Sequence, residues 1–320
     1  MVAPSATTLE EAASELAGSV TGRVTPNRPL APLTTFRVGG PAAIFVEPAN
    51  ETDLEITGRI AYGRSIPVWI MGKGSNVLVA DAGFPGIVIR MAKGFDWIRQ
   101  GSSSDRVEAG GAATLPQVSN WAAKRALTGL EFAVAIPATV GGGVAMNAGA
   151  HGSDVSMVLE SVRICFLAEG RTESAQATEL DMTYRRTRLG PDSVVCSANF
   201  LLQPGDPVEI AAKMREHRRH RSTTQPSEAP NAGSMFKNPP GGSAGELIES
   251  AGLKGTSVGR AEVSAKHGNF FLARPGATAQ NVYDLMAAVQ AAVEERLGVR
   301  LIPEVKLIGR FDEAAGLKTA

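Results

Sequence analysis

Residues 72–91 read GKGSNVLVADAGFPGIVIRM, and the segment behind the glycines decides the class of fold. A Walker loop needs GxxxxGK[ST] opening a helix, and a Rossmann fingerprint needs GxGxxG opening a helix. Here the turn Gly72-Lys73-Gly74-Ser75-Asn76 runs on through Val77 into two strand-like segments, so neither nucleotide signature applies. The turn still presents consecutive backbone N–H groups that can form an anion-binding nest, although an ordinary tight hairpin would look the same. A second stretch, AIPATVGGGVAMNAGA (Ala135–Ala150), holds four Gly and five Ala in sixteen residues and almost no charge, Ser or Gln, which is not how a linker is composed. Side chains have been stripped from a backbone that something must approach closely.

Outward from these segments, strand and helix signals alternate. AAIFVEP reads as a strand, Thr52-x-x-Glu55 as the cap of a helix ending near Gly63, and IPVWIM as a second strand. Thr114 and Gln117 form a capping box with Pro116 in the first turn, and Gly129 is expected to close that helix, whose apolar face carries Val118, Trp121, Ala122 and Leu127. Strands near 160–168 and 193–203 complete a second α+β block over residues 90–208. KMREHRRHR (213–221) reads as a solvated helix face whose end can meet an anion, and STTQPSEAP as a polar connector. In the last block, Ser243-x-x-Glu246 caps a helix ending at Gly252. Thr278 caps a longer one with a core stripe of Val282, Leu285, Met286, Val289, Val293 and Leu297, terminated by Gly298. VRLIPEVKLIG returns as a strand that Pro303 places at an edge or bulge.

Composition narrows the function. The 320 residues are 43% hydrophobic and 20% charged, a profile able to bury a core in about two domains. Thirty-two basic and 32 acidic residues cancel, so no global field favours nucleic acid or an anionic membrane. No apolar run reaches the roughly 20 residues of a bilayer span. The N-terminus has no signal-peptide pattern and reads as a short amphipathic helix with a Thr8-x-x-Glu11 capping box. Cys165 and Cys196 sit in apolar strand-like runs as small buried hydrophobes, and the four histidines form no metal-ligand spacing, so no metal is expected. A cytoplasmic protein without a disulfide framework is the expectation.

Three strings combine reactive groups with backbone constraint: Tyr184-Arg185-Arg186, NAGSMFKNP (Asn231–Pro239) and Glu304 after Pro303. Ser234 lies in AGSMF, not in a GxSxG elbow, and no histidine shares its context, which argues against a hydrolase. A serine can instead give its proton to a strongly basic carbanion. Arg185 can bind a carboxylate through two hydrogen bonds, and a Glu in a dry site can stay protonated as a donor. Each of the three residues also has a plainer reading, a backbone-bonding serine or a surface ion pair.

Taken together, TTFRVGGPA (Thr34–Ala42), GKGSNVLV, IPATVGGGVAMNAGA, YRR, NAGSMFKNP, GELIESAGLKG, AKHGNFFLA and IPEVKLIG resemble the UDP-N-acetylenolpyruvoylglucosamine reductases (MurB), in that family's order and spacing over most of the chain. The resemblance implies an α+β fold: a two-subdomain FAD-binding module of the PCMH, vanillyl-alcohol-oxidase-like type, plus a C-terminal α+β substrate domain. It divides the chain into an N-terminal extension (1–20), FAD-binding subdomains 1 (21–90) and 2 (91–221), a substrate-binding domain (222–300), and a strand returning to the FAD module with a tail (301–320). It implies non-covalent FAD embraced by Gly72, Lys73, Gly74, Ser75, Asn76, Val77, Ile136, Thr139, Gly142, Gly143, Asn147 and Gly149, with backbone amides facing the pyrophosphate.

The implied reaction belongs to peptidoglycan precursor synthesis. NADPH gives a hydride to the flavin, and the reduced flavin passes it to the enolpyruvyl β-carbon of the UDP-sugar. Arg185 and Glu304 match the positions that stabilise the resulting enolate-like charge, and Ser234 matches the donor to the α-carbon. Tyr184, Arg221, Gln225, Lys237, Asn238 and Asn269 align with substrate positions, and a monomer is implied. His151-Gly-Ser-Asp departs from the Tyr-Gly-Gly common after NAGA, Ala138 stands for Gly, and Met235 for Phe or Val. The short stretch after Tyr184 resembles the branch without an inserted Tyr-bearing loop. Two alternatives stay open from the residues: another FAD-linked oxidase or dehydrogenase of the same fold, and a non-catalytic UDP-sugar binder.

Overall fold

Alternation along one strand sets the layering. In Ser193–Leu201, Val194 and Cys196 belong to an apolar cluster with Leu16, Leu54 and Ile87, while Val195, Ala198 and Phe200 belong to another with Val118, Phe132 and Val140. Successive side chains of a strand point to opposite faces, and a register shift opposite Arg163 and Ile164 leaves Cys196 as an extra residue, a bulge that carries Ala198 and Phe200 into the cluster of Val195, so this strand is covered on both sides. It is the middle of a five-stranded antiparallel sheet with the order Arg171–Gln176, Leu159–Phe166, Ser193–Leu201, Arg106–Gly110, Ile98–Gln100. The computed structural model describes residues 4–319, which divide into two compact units. The first takes the chain up to Pro26, Ala43–Lys73 and Gly86–Arg221; the second takes Asn27–Ala42, Gly74–Pro85 and the chain from Ser222 onward.

Helices α1 (Ala6–Ser19), α2 (Glu51–Gly63), α3 (Leu115–Ala123), α4 (Val140–Ala145) and all but the last turn of α5 (Pro207–Thr224) lie in the first unit. A four-stranded sheet orders Arg23–Pro29, Pro41–Glu47, Phe84–Ile89 and Val68–Ile70, the last pair parallel. In the second unit, α6 (Ala244–Ser250) and α7 (Ala279–Leu297) accompany an antiparallel sheet of Ser257–Val258, Ala261–Val263 and Phe271–Ala273. There Lys306–Ile308 pairs in parallel with Val77–Val79, so one of the two strands expected after the glycine turn is partnered by the segment after Pro303.

Several boundaries differ from the sequence reading. The cap of α1 is Ser5, whose hydroxyl accepts from Thr8 N–H, and the cap of α2 is Asn50, which accepts from Asp53 N–H. In both cases a short polar side chain lies just upstream of the threonine that the box pattern favours. Asp53 itself is 2% exposed and accepts from the N–H groups of Thr21, Gly22 and Ala49, a buried hub the sequence did not suggest. Helix α3 stops at Ala123, short of Gly129, because Ala126 turns to φ 54° and Leu127–Thr128 pairs as a strand. The connector begins late, since Ser222–Thr224 finish α5. The stripe of α7 is core except for Leu297, which is exposed. The strand Arg171–Gln176, polar and at the sheet edge, and the helix α4 were not foreseen. Both cysteines are free and buried, and burial pushes the Cys165 thiol up to about 11 and Cys196 further up. Among the described residues no helix is long and apolar enough to cross a membrane.

Candidate functional site

In the first unit the glycine turn and the small-residue segment meet. A Cβ on Gly72 would stand 2.9 Å from Thr139 Oγ1, so the turn can lie there only without one. Thr139 caps α4, its hydroxyl accepting from Gly142 N–H at 3.2 Å. The glycines of α4 are not equivalent. A Cβ on Gly141 would lie 3.1 Å from the Val195 carbonyl, and one on Gly143 2.8 Å from the Leu115 side chain, so both are small because the helix presses on its neighbours. On Gly142 a Cβ would meet only its own cap hydroxyl, at 3.3 Å. Packing inside the unit does not require that bareness, which is how a surface meant for another molecule looks.

The end of the segment holds Arg185. Its Nη2 donates to the Gly149 carbonyl at 2.9 Å and its Nη1 to Asn147 O at 3.4 Å, while its guanidinium lies 5.0 Å from the ring centre of Tyr184, which is 55% exposed. Arg185 sits at φ 56°, Asn147 at φ 42°. Asn147 is buried, its Nδ2 donating to Thr183 O and its Oδ1 accepting from Ser156 N–H, so its side chain braces the turn that carries Arg185. Thr187 adds a hydroxyl bond to Ala145 O. Arg221, at the end of α5, donates to Ala135 O just ahead of Ile136, and burial works against its charge. His151 stacks on His217 with ring centres 3.9 Å apart and meets His220 edge-on at 5.1 Å. Helical spacing could have paired His217 with His220; nothing in the sequence pointed to His151 joining them.

In the second unit, Ser234 and Glu304 are brought onto neighbouring backbone. Met235 O accepts from both Glu304 N–H (2.8 Å) and Val305 N–H (3.4 Å), Lys237 N–H donates to Ile302 O, and Phe236 bridges Pro303. Asn76 joins them, its Nδ2 donating to Glu304 O and its carbonyl accepting from Lys306 N–H. On the other flank Ser234 bridges Phe270. Gly74 takes φ 69° in the turn, and its carbonyl accepts from Thr35 N–H. Asn238 is exposed, with Oδ1 accepting from Ala244 N–H at the start of α6; Lys237 and Gln225 are half-buried, and Lys73 is exposed. Among the described residues no group of three or more His, Cys, Asp or Glu side chains is placed to hold a metal ion.

Comparison with known proteins decides the family. The family described as UDP-N-acetylenolpyruvoylglucosamine reductase, C-terminal domain, matches residues 225–308, and the FAD binding domain family matches residues 42–176. UDP-N-acetylenolpyruvoylglucosamine reductase 2 of Symbiobacterium thermophilum is 45% identical over 90% of this chain and 93% of its own length. The reductase of Rubrobacter xylanophilus is 42% identical over 88% and 94%. The chain belongs to the UDP-N-acetylenolpyruvoylglucosamine reductase family. The crystal structure of the reductase from Thermus caldophilus agrees, with a TM-score of 0.76 at 34% identity, covering 90% of this chain and 99% of that one. With the family comes the α+β, FAD-binding architecture expected from the sequence.

The bare Gly142 fits a bulky planar or phosphorylated ligand such as FAD lying against main chain, whereas Gly72 is bare because Thr139 stands against it. The donors, however, differ from the pattern that the resemblance implied. The amides of Val140, Gly141 and Gly143 donate to the carbonyls of Ala113, Gly111 and Thr139, so this part of the small-residue segment supplies bare surface, not a row of N–H groups. Gly143 in particular is committed to the protein on both counts. Asn269 is likewise withdrawn from the substrate contacts. It is 2% exposed, and its side-chain amide is spent on the backbone of Phe236.

Proposed function

We propose that this reductase-family chain converts UDP-N-acetylglucosamine enolpyruvate to UDP-N-acetylmuramate, with Ser234 as proton donor and Arg185 and Glu304 as stabilisers of the developing negative charge. Bound FAD supplies the hydride transfer, from NADPH to the enolpyruvyl β-carbon. The chain's own part is charge and proton management. As the α-carbon gains electron density, the guanidinium of Arg185 and the carboxyl of Glu304 offset it, an electrostatic role of the oxyanion-hole kind. The Ser234 hydroxyl then gives its proton to that carbon, fixing the stereochemistry of the lactyl ether.

One observation carries this reading: the shared carbonyl of Met235, which accepts from Glu304 and Val305 N–H and so keeps serine and glutamate on adjoining main chain. Tyr184, Arg221, Gln225, Lys237 and Asn238 are the proposed substrate contacts. Arg221 is the one that gains most from an anionic pyrophosphate, since burial disfavours its charge. FAD is proposed to lie along Gly72–Val77 and Ile136, Thr139, Gly142 and Gly149, with Asn147, its side-chain amide spent on Thr183 and Ser156, bracing that surface, subdomains 21–90 and 91–221 holding the cofactor, 222–300 serving the substrate, and 301–320 returning to the flavin module. The reading also makes the protein a cytoplasmic monomer, which sedimentation can check. Anaerobic reduction of the flavin by NADPH, followed by reoxidation with the enolpyruvyl UDP-sugar, tests the function. A flavin that NADPH reduces but the sugar cannot reoxidise would refute it.

A further inference from the structure

The main chain that carries Ser234 has two flanks, and they are held differently. On the Glu304 side the bonds run from backbone to backbone. On the other side, besides the bridge of Ser234 to Phe270, they converge on one residue, Asn269, chiefly through its side chain. Asn269 Oδ1 accepts from Phe236 N–H at 2.9 Å, Asn269 Nδ2 donates to Phe236 O at 2.7 Å, and the Asn269 carbonyl accepts from Met235 N–H at 2.9 Å. The amide thus stands in for a length of strand, satisfying both polar groups of a residue with no exposed surface. The turn bearing it is itself fixed. Asn269 N–H donates to His267 Nδ1 at 3.1 Å, which needs that nitrogen unprotonated, and burial together with the nearby Lys254 charge holds His267 below its ordinary value. A Cβ on Gly268 would lie 2.6 Å from the Gly245 carbonyl, so the turn is seated directly on α6.

We propose that Asn269 is a positioning residue for Ser234: its amide clamps the backbone at Phe236 and so sets where the serine hydroxyl delivers its proton. This rests on the function proposed above. Substitutions at Asn269 should therefore separate the two halves of the reaction. Asn269→Ala is expected to bind FAD and to be reduced by NADPH at the wild-type rate, yet to be reoxidised by the enolpyruvyl UDP-sugar on the order of 10²-fold more slowly, with KM little changed.

Asn269→Asp has the shape of the amide but at neutral pH sets a second carboxylate oxygen against the Phe236 carbonyl. Protonation restores a donor there, so its reoxidation rate should climb as pH falls while the wild type's does not. Reoxidation of Asn269→Ala at the wild-type rate, or an Asn269→Asp profile shaped like the wild type's, overturns the clamp. So does loss of flavin in both variants, which would make Asn269 a support of the fold at large. Wild-type enzyme that the sugar cannot reoxidise overturns the functional reading itself, and the clamp with it.

Discussion

Ser234 and Arg185 are held by opposite means. Ser234 rides on main chain bonded to main chain, through Met235 to Glu304 and Val305 and through its bridge to Phe270. Arg185 rides on a turn at φ 56°, secured by a guanidinium that reaches the carbonyls of Gly149 and Asn147. The difference matches the two roles proposed for them. A proton moves along a hydrogen bond and fails when donor and acceptor are displaced by about 1 Å. A cation stabilises charge through a Coulomb term that falls only as the inverse of distance. Rigid scaffolding is needed for the first and an adjustable arm suffices for the second.

The largest effect should therefore fall on Ser234. Ser234→Ala is expected to lose turnover by about 10³–10⁴-fold, the upper part of the range for a positioned acid or base. Flavin content and the rate of reduction by NADPH should stay unchanged in stopped-flow traces. Arg185→Lys keeps the charge but loses the planar fork that grips two carbonyls, and its turnover should fall by about 10²-fold. Equal losses in the two variants would erase the contrast between stiff and adjustable placement, and an Arg185→Lys loss larger than that of Ser234→Ala would invert it.

The same contrast runs through the glycines of α4, at a smaller scale. Gly143→Ala drives a methyl to within 2.8 Å of Leu115 and should destabilise the protein by about 1–3 kcal/mol, as overpacking does. Gly142→Ala meets only the Thr139 hydroxyl, and because Ala is the better helix former the apoprotein should keep or gain about 0.5–1 kcal/mol. Its cost should instead appear as weaker FAD binding in a fluorescence titration. Denaturant curves of the two apoproteins beside those titrations separate a glycine needed by the fold from one needed by the ligand. If both substitutions weaken the fold alone, Gly142 has no part in the cofactor site.

What the sequence made legible were the features written in local chemistry. The capping box at Thr114, the cap at Thr278, the αL glycine at 298 and the strands around the glycine turn are each decided within a few residues, and they stand where expected. The family was recognisable from its strings, because NAGSMFKNP and IPEVKLIG are distinctive even before their backbones are known to pair. The hydrogen-bond partners were not recognisable. That the amides of Val140 and Gly141 would be taken by Ala113 and Gly111, that Asp53 would gather three backbone donors, or that Asn269 would face Phe236 instead of a sugar depends on contacts far apart in sequence. A buried asparagine and a substrate-binding one look identical in a string of letters.

The smallest expected effect concerns histidine, and it sets the two units side by side. His151 is exposed and His217 half-buried, stacked in the first unit; burial, then neighbouring imidazoles for His151, moves both below the ordinary histidine value, while Glu216 and Glu131 pull His217 the other way. In the second unit half-buried His267 is lowered by burial and by Lys254, against Glu249, and also has an N–H to accept. For a base held below its unfolded pKa, the unfolded chain takes up protons that the folded chain refuses. Stability is then full above about pH 6.5 and declines as pH falls below it. Solvent screens the exposed stack, so His267 should carry more of that decline. Urea unfolding across this pH range should give a flatter acid limb for His267→Asn, which retains an acceptor on a short side chain, than for His151→Phe, which retains only the stacked ring. The opposite ranking would mean that the imidazole stack, exposed as it is, governs the acid response of the molecule.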